Sequence, residues 1–278
     1  DWLKIKLDTS TEYQQTKDII NDTMLNTVCV EARCPNIYEC WNRRTATIMI
    51  LGDICTRSCG FCAVKTGKPS SADLGEPSRV ANAVKSMNLK HVVITSVDRD
   101  DLKDDYGAEI WAQTIEEIHQ NVKGCSVEVL TPDFRGHKTS IIKVFEAKPE
   151  IFSHNVECVK RISKEVRAQS DWDRSLDVLR LSVEHGMLTK TGMMVGLGES
   201  DDEVIATMEE IASIGVEIFN IGQYLQPTKK HLSVSRYVHP NQFSYYKDYG
   251  LGLGFKVVES GPLVRSSYHA DEQVERYR

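Results

Sequence analysis

Six of the eight cysteines in this 278-residue chain fall into two short clusters near its start. The first is Cys29-x4-Cys34-x5-Cys40 and the second is Cys55-x3-Cys59-x2-Cys62. Three soft thiolates gathered in one loop suit an iron–sulfur cluster or zinc, and a chain that carries two such loops must fold around them. Each set is one ligand short of a four-iron cube, which points to reactive centres rather than structural ones. A disulfide framework is the alternative. Clusters this local, with no secretory signal in the sequence, fit a reducing compartment better. Cys125 and Cys158 stand apart beside apolar residues and read as small buried hydrophobes.

The length suits one large domain or two small ones. The net charge of −6 gives no reason to expect nucleic acid, and no apolar run approaches the length of a membrane span. The chain opens at Asp1 rather than Met, which leaves room for a trimmed targeting or N-terminal segment. The expected compartment is the cytoplasm, or a mitochondrion or plastid if such a segment was removed.

Residues 1–44 read as an irregular extension with a polar helical stretch over Thr11–Asn26. Beyond it the pattern alternates. Strands are expected at Thr45–Ile54, His91–Val97, Ser126–Leu130, Ile151–Val156, Leu188–Leu197 and Ile218–Leu225, with a short one at Phe255–Glu259. Helices are expected at Pro77–Met87, Ala108–Val122, Thr139–Ala147, Trp172–His185, Asp201–Ile214 and Asn241–Leu251. Such alternation implies an α/β fold with a parallel sheet, either open and doubly wound or a full or partial barrel. In both, chemistry collects at the C-terminal ends of the strands. Cys55, Asp98, Thr131, Glu157 and Glu199 fall at such ends.

The second cluster lies in Gly52-Asp53-Ile54-Cys55-Thr56-Arg57-Ser58-Cys59-Gly60-Phe61-Cys62. Three thiolates hold three irons of a [4Fe–4S] cube and leave the fourth open to a small bidentate ligand. Flanking glycines let backbone approach closely, and an aromatic at Phe61 suits an adenine ring. A zinc knuckle with a distant fourth ligand is the alternative, although zinc more often uses paired C-x2-C units.

This spacing, with a strand leading in, resembles the radical S-adenosylmethionine (SAM) superfamily. The resemblance implies an open iron that chelates SAM, and an electron that cleaves it to methionine and a 5′-deoxyadenosyl radical. A closer resemblance rests on both cysteine spacings, the GDICTRSCGFC loop and Arg265-Ser266-Ser267-Tyr268, with ARCPNIYECW, ITSVDRDDL, MVGLGE and QYLQPT between them. Together these resemble the lipoyl synthase family over essentially the whole chain. The implied architecture is a partial (β/α)6 barrel of the radical SAM type at 45–260, an N-terminal extension at 1–44 and a C-terminal segment at 261–278.

The family resemblance implies two [4Fe–4S] clusters and SAM. Cys55, Cys59 and Cys62 would hold the radical-generating cluster. Cys29, Cys34 and Cys40 would hold an auxiliary cluster with Ser267 as fourth ligand, Ser266 being the weaker choice, and Arg265 would help release the serine. The auxiliary cluster would be consumed as the sulfur donor in dithiolation of an octanoyl-lysine at C6 and C8. Implied partners are octanoylated lipoyl carrier domains (2-oxoacid dehydrogenase acyltransferase subunits and the glycine cleavage H protein), reduced ferredoxin or flavodoxin, and an iron–sulfur cluster carrier.

Other residues have two readings. Ser96 and Asp98, with Thr95, close a strand and would contact SAM, or would cap a helix whose first turn holds Asp100 and Asp101. Asn155 and Glu157 close another strand and suit a ribose or methionine contact. Arg180 suits a cofactor carboxylate or a surface salt bridge. Gly192, Gly196 and Gly198 have the wrong spacing for a phosphate loop and read as packing against an adenine or as a tight turn. Lys229, Lys230 and His231 would dock an acidic carrier, or form a solvated loop. A radical enzyme acting on another apolar substrate, or a non-catalytic iron–sulfur carrier, are the competing functions.

Overall fold

The computed structural model describes residues 3, 14, 17–20, 25–27, 36–42, 45–268 and 270–275, without the side chains of 271, 274 and 275. Cys29 and Cys34, and most of the helix expected over Thr11–Asn26, lie outside the described residues. Contacts divide the chain into two compact units. One holds the described residues of Ile5–Arg57, Val64–Ile151 and Ser267–Arg278; the other holds Leu3, Ser58–Ala63 and Phe152–Ser266.

The first unit begins with a short strand β1 (Asn26–Thr27) and a helix α1 (Ile37–Asn42), followed by strand β2 (Thr45–Ile50). β1 pairs antiparallel with β2, Asn26 opposite Met49, so the expected helix does not reach Asn26. Two short strands, β3 (Ile54–Cys55) and β4 (Lys65–Thr66), pair in parallel across the second cysteine loop. Then come α2 (Glu76–Ser86), β5 (His91–Ser96), α3 (Ala108–Asn121), β6 (Ser126–Leu130) and α4 (Lys138–Glu146). β2 pairs in parallel with β5, and β5 with β6. All six residues of β2 are buried, as a parallel strand covered on both faces requires. α3 buries Ile110, Trp111, Ile115 and Ile118, the helical spacing visible in the sequence. It packs against α2 and α4.

β2 was expected to run to Ile54 but ends at Ile50. Leu51 and Gly52 turn left-handed, with φ of 67° and 94°. The Leu51 N–H, lost to the ladder, is recovered by the buried Glu76 carboxylate at 2.7 Å. Burial raises the Glu76 pKa, and this backbone bond opposes the shift.

The second unit holds strand β7 (Ile151–Ser153, of which Phe152 and Ser153 belong here), the short helix α5 (Ser163–Val166), α6 (Trp172–Glu184), β8 (Thr189–Val195), α7 (Asp201–Ile214), β9 (Ile218–Gln223), α8 (Pro240–Leu253) and β10 (Val257–Gly261). β7, β8, β9 and β10 are parallel in that order. Val156, Leu179, Met208, Phe219, Ile221, Phe243 and Tyr246 are among its buried core. α7 starts on a capping box in which Ser200 and Glu203 satisfy each other's backbone N–H groups. α8 starts with Pro240 in its first turn and ends on left-handed Gly254.

β7 is shorter than the expected Ile151–Val156. His154 N–H still reaches Lys190 O at 3.1 Å, but the ladder lapses until Glu157 bridges to Met193. Glu157 adopts φ of 67°, a left-handed conformation that costs a side-chain-bearing residue free energy. The last described helix, α9 (Ala270–Glu275), belongs to the first unit and lies against β5.

Two glycine substitutions should move stability in opposite directions. At Gly196 (φ 97°) a Cβ would stand 2.2 Å from Gln223 Nε2 and 2.6 Å from Arg236 O. Gly196→Ala should lose about 2–4 kcal/mol. Gly252, inside α8 with nothing within 4 Å of a Cβ, should gain about 0.5–1 kcal/mol as Gly252→Ala. Chemical denaturation followed by circular dichroism measures both, and a loss at Gly252 would contradict the helix assignment.

Candidate active site

Cys55 ends β3, and its sulfur accepts two backbone N–H groups: Asp98 at 3.3 Å and Arg57 at 3.4 Å. The Asp98 carboxyl lies 3.9 Å from the same sulfur. The strand end after β5 grips the loop. Thr56 N–H and Oγ both donate to Asp98 O, at 3.0 and 2.9 Å, and Asp100 N–H donates to Thr56 Oγ at 3.1 Å. From below, Gly67 N–H donates to Cys55 O at 3.0 Å and Thr66 Oγ to Arg57 O at 3.1 Å.

The Arg57 side chain, 2% exposed, meets three carboxylates. Its guanidinium takes Asp100 bidentately at 2.9 and 2.8 Å, Asp133 at 2.6 Å and Asp98 at 3.2 Å. Burial alone would favour loss of its proton, but the three acids outweigh it and hold the group firmly cationic. Burial pushes the Asp98 carboxyl up to about 6, against the pull of Arg57. Ser96 Oγ donates to Val97 O at 2.8 Å. Asp98–Asp101 therefore do not form a helix's first turn. The α3 start is served by Asp105, whose carboxylate accepts Gly107 and Glu109 N–H, both at 2.8 Å.

In the second unit, Ser58–Cys62 is anchored separately. Ser58 exchanges hydrogen bonds with the Gln169 amide at 3.2 and 3.0 Å. Gly60 N–H donates to Val166 O at 2.8 Å, and Leu232 N–H donates to Gly60 O at 2.9 Å. A Cβ on Gly60 would sit 2.8 Å from Leu232, so only glycine allows this approach. Cys62 N–H closes a turn onto Cys59 O at 3.1 Å, and the His231 ring lies 3.0 Å from Cys62 O. Phe61 is half-buried against the unit's apolar core. Lys229 and Lys230, just before His231, are exposed.

The residues fit an iron–sulfur cluster by donor chemistry. Cys55, Cys59 and Cys62 are half-buried, no disulfide joins any two of the six described cysteines, and Cys55 already receives the N–H donors that thiolates of such clusters use. Among the described residues no three Cys, His, Asp or Glu side chains form a single-ion site. Cys125 and Cys158 are buried, and burial pushes the Cys158 thiol up to about 12.

Arg265 and Ser266 of the C-terminal motif are held within the second unit, while Ser267 and Tyr268 belong to the first. Asn155, after β7, donates to Ser266 Oγ at 2.8 Å. Asn220, inside β9, donates to the carbonyls of Arg265 and Ser266 at 3.3 and 3.1 Å. Gly222, two residues on, makes room: a Cβ there would lie 2.2 Å from Val264 O. Glu157 is half-buried, and burial raises its pKa above the usual carboxylate range against the charge of Arg167. Arg265 donates to Val264 O at 2.6 Å, and Ser267 is half-buried at the next step of the chain. Cys40 lies on α1.

Two residues are placed elsewhere. Arg180 forms an exposed pair with Asp177 at 2.8 Å on α6, the surface salt bridge that the sequence also allowed. Glu199 spends both oxygens on the turn after β8, accepting Gly196 and Leu197 N–H at 2.7 and 2.9 Å. Gly196 and Gly198 are left-handed in that turn, as the tight-turn reading expects. Sequence reasoning missed Asp133, Gln169 and Asn220. Only Asn220 carried a local signal, a polar residue within a wholly apolar stretch of strand.

Residues 49–211 match the Radical SAM superfamily profile. A lipoyl synthase from Rubrobacter xylanophilus is 55% identical over 100% of this chain and 87% of its own length. A mitochondrial lipoyl synthase from Nematostella vectensis is 50% identical over 98% of this chain and 94% of its own. The crystal structure of methylornithine synthase is similar in fold, with a TM-score of 0.58 and 12% identity over 94% of this chain and 91% of that one. The fold class is α/β, with a parallel-sheet core of the partial-barrel type.

Glu157 supplies a pH test. A carboxyl whose pKa rises on folding destabilises the fold above its folded pKa and has no effect below its unfolded value, near 4.5. Glu157→Gln should therefore melt higher than the parent at pH about 8, and the gain should vanish toward pH about 4. Thermal melts across that range check it; a gain that grows on acidification would reverse the assigned shift.

Proposed function

The chain belongs to the lipoyl synthase family of the radical SAM superfamily, and from that premise we propose that it inserts two sulfur atoms, at C6 and C8, into an octanoyl chain held in amide linkage on a lysine of a carrier protein. The observation that carries this reading is the held C-terminal motif. A radical SAM enzyme of any kind needs the Cys55–Cys62 loop. A chain that also fixes Arg265 and Ser266 by two buried-end asparagines has built a second functional element.

Cys55, Cys59 and Cys62 would hold the radical-generating [4Fe–4S] cluster. When bound, it supplies the electron that cleaves SAM to methionine and a carbon radical able to take hydrogen from an unactivated carbon. The chain's own part is to orient and to exclude water. Phe61, Ser96, Asp98, Asn155 and Glu157 are the proposed SAM contacts, by their places in the loop and after strands. Arg180, in its exposed pair, is the weakest of the proposed contacts.

Cys29, Cys34, Cys40 and Ser267 would hold a second [4Fe–4S] cluster, which would serve as the sulfur source. Ser266 Oγ is engaged by Asn155, which favours the next residue, Ser267, as ligand. An alkoxide matches iron less well than thiolate does, so this bond is suited to open, and Arg265 assists its release. The proposed organisation is 1–44 for the auxiliary cysteines, 45–260 for the barrel and 261–278 for the tail.

The carriers are octanoylated lipoyl domains of 2-oxoacid dehydrogenase acyltransferases and the glycine cleavage H protein. Ferredoxin or flavodoxin serves as reductant, and an iron–sulfur carrier reloads the consumed cluster. A reducing cytoplasm or organelle matrix suits such thiolates. No described helix is long and apolar enough to cross a membrane.

Variants separate the two clusters. Cys59→Ala should abolish 5′-deoxyadenosine formation. Cys34→Ala and Ser267→Ala should still form it but leave the peptide without sulfur. Asn220→Ala should keep SAM cleavage and lower dithiolation about 10–100-fold, as loss of a group supporting a metal ligand does. Chromatography and mass spectrometry of anaerobic reactions read all four. Dithiolated product from Cys34→Ala would remove the auxiliary cluster as donor.

A further inference from the structure

Arg57, Asp100 and Asp133 lie outside the ligands and SAM contacts assigned above, and with Asp98 they form a heavily constrained charged cluster beside Cys55. One guanidinium faces three carboxylates drawn from two strand ends, Asp98 and Asp100 after β5 and Asp133 after β6. Asp133 is as buried as Arg57, each side chain 2% exposed. Only Thr56 separates Arg57 from Cys55, and the Arg57 N–H itself donates to the Cys55 sulfur at 3.4 Å. The other N–H on that sulfur belongs to Asp98, whose side chain pairs with the same guanidinium. The side-chain cluster and the sulfur's two donors are thus one connected piece of structure.

A salt bridge built only to hold a loop needs one carboxylate. Three around one buried cation leave an excess of negative charge beside Cys55, with Asp133 fully buried, Asp98 and Asp100 partly exposed and Arg135 no nearer than 4.0 Å to Asp100. Potentials of iron–sulfur clusters follow net charge and hydrogen bonds to sulfur. Acids nearby disfavour adding an electron, and a cation favours it.

We propose that Arg57 is a positioning residue for the radical-generating cluster: clamped by Asp98, Asp100 and Asp133, it fixes the two amide donors on Cys55 and balances the charge that sets the cluster's reduction potential. This rests on the assignment of Cys55, Cys59 and Cys62 to that cluster. It adds a role for Arg57 and Asp133, neither of which ligates metal. Lysine at 57 would keep the charge but lose the planar fork that meets Asp100 bidentately while reaching Asp133.

The test uses the full chain with Cys29, Cys34 and Cys40 all changed to Ala, so that a single cluster is reconstituted. In that parent, Arg57→Met, Arg57→Lys and Asp133→Asn are compared by iron content, by the electron paramagnetic resonance of the reduced cluster with and without SAM, and by redox titration. Arg57→Met should lower the midpoint potential and Asp133→Asn should raise it. Arg57→Lys should restore the potential toward the parent while its resonance stays broadened, because the loop is no longer fixed. A purely structural clamp would not shift the two potentials in opposite directions.

Equal potentials, or shifts of the same sign, would overturn the proposal. If Arg57→Met does not fold by circular dichroism, Arg57→Lys and Asp133→Asn, which both keep a cation at 57, decide it: an unshifted Asp133→Asn potential overturns it. A parent that takes up no cluster, or whose resonance ignores SAM, would instead sink the cluster assignment itself, and the proposal with it.

Discussion

Parallel strands buried on both faces can offer chemistry only their ends. In the first unit β2, β5 and β6 are almost wholly buried, and the polar groups around the cysteine loop come from where the strands stop: Ser96, Asp98, Asp100, then Asp133. In the second unit β8 and β9 are buried in the same way, with Asn155 and Glu157 beyond β7. The cysteine loop is a product of this constraint. Cys55 is short of regular pairing because β2 has already turned away at Leu51 and Gly52, and the loop must draw its hydrogen bonds from the strand end after β5.

Glu128 in β6, Lys190 in β8 and Asn220 in β9 are buried polar residues inside strands, and Asn220 shows what that costs. Its side-chain N–H groups are satisfied only by the carbonyls of Arg265 and Ser266. Without the tail in place, a buried amide would be left short of partners, a loss of about 1–3 kcal/mol. Gly222 reinforces the point, since any larger residue there would push Val264 away. The strand and the tail are therefore mutually dependent, and the stretch 264–266 is held by Asn155, Asn220 and Gly222 rather than by its own sequence.

Much of this was readable from the chain. The apolar, β-branched runs gave the strands, and Ser126–Leu130 and Asp201–Ile214 fall where expected to the residue. The errors lie where a side-chain-bearing residue turns left-handed, at Leu51 after β2 and at Glu157 after β7. Nothing in apolar periodicity reports that. The cysteine spacings identified the cluster loop, and the RSSY tail narrowed the family. What stayed hidden depends on contacts far apart in sequence. Arg57 looks like an ordinary loop arginine until Asp100 and Asp133 are brought to it. Arg180 looked equally able to bind a cofactor or a neighbour, and only its place on α6 separates the two. The division of contacts at Arg57 and Ser58, within the cysteine loop, has no compositional mark.

The account stands or falls on where the sulfur goes. The most direct measurement is to reconstitute both clusters with isotopically heavy sulfide, remove free sulfide, and supply SAM, reductant and an octanoyl-lysyl peptide under anaerobic conditions. Mass spectrometry of the peptide after a single turnover then reads the outcome. The account predicts two heavy sulfurs in the peptide, with 5′-deoxyadenosine formed alongside. Deoxyadenosine with an unchanged peptide, or a peptide carrying only light sulfur, would contradict it.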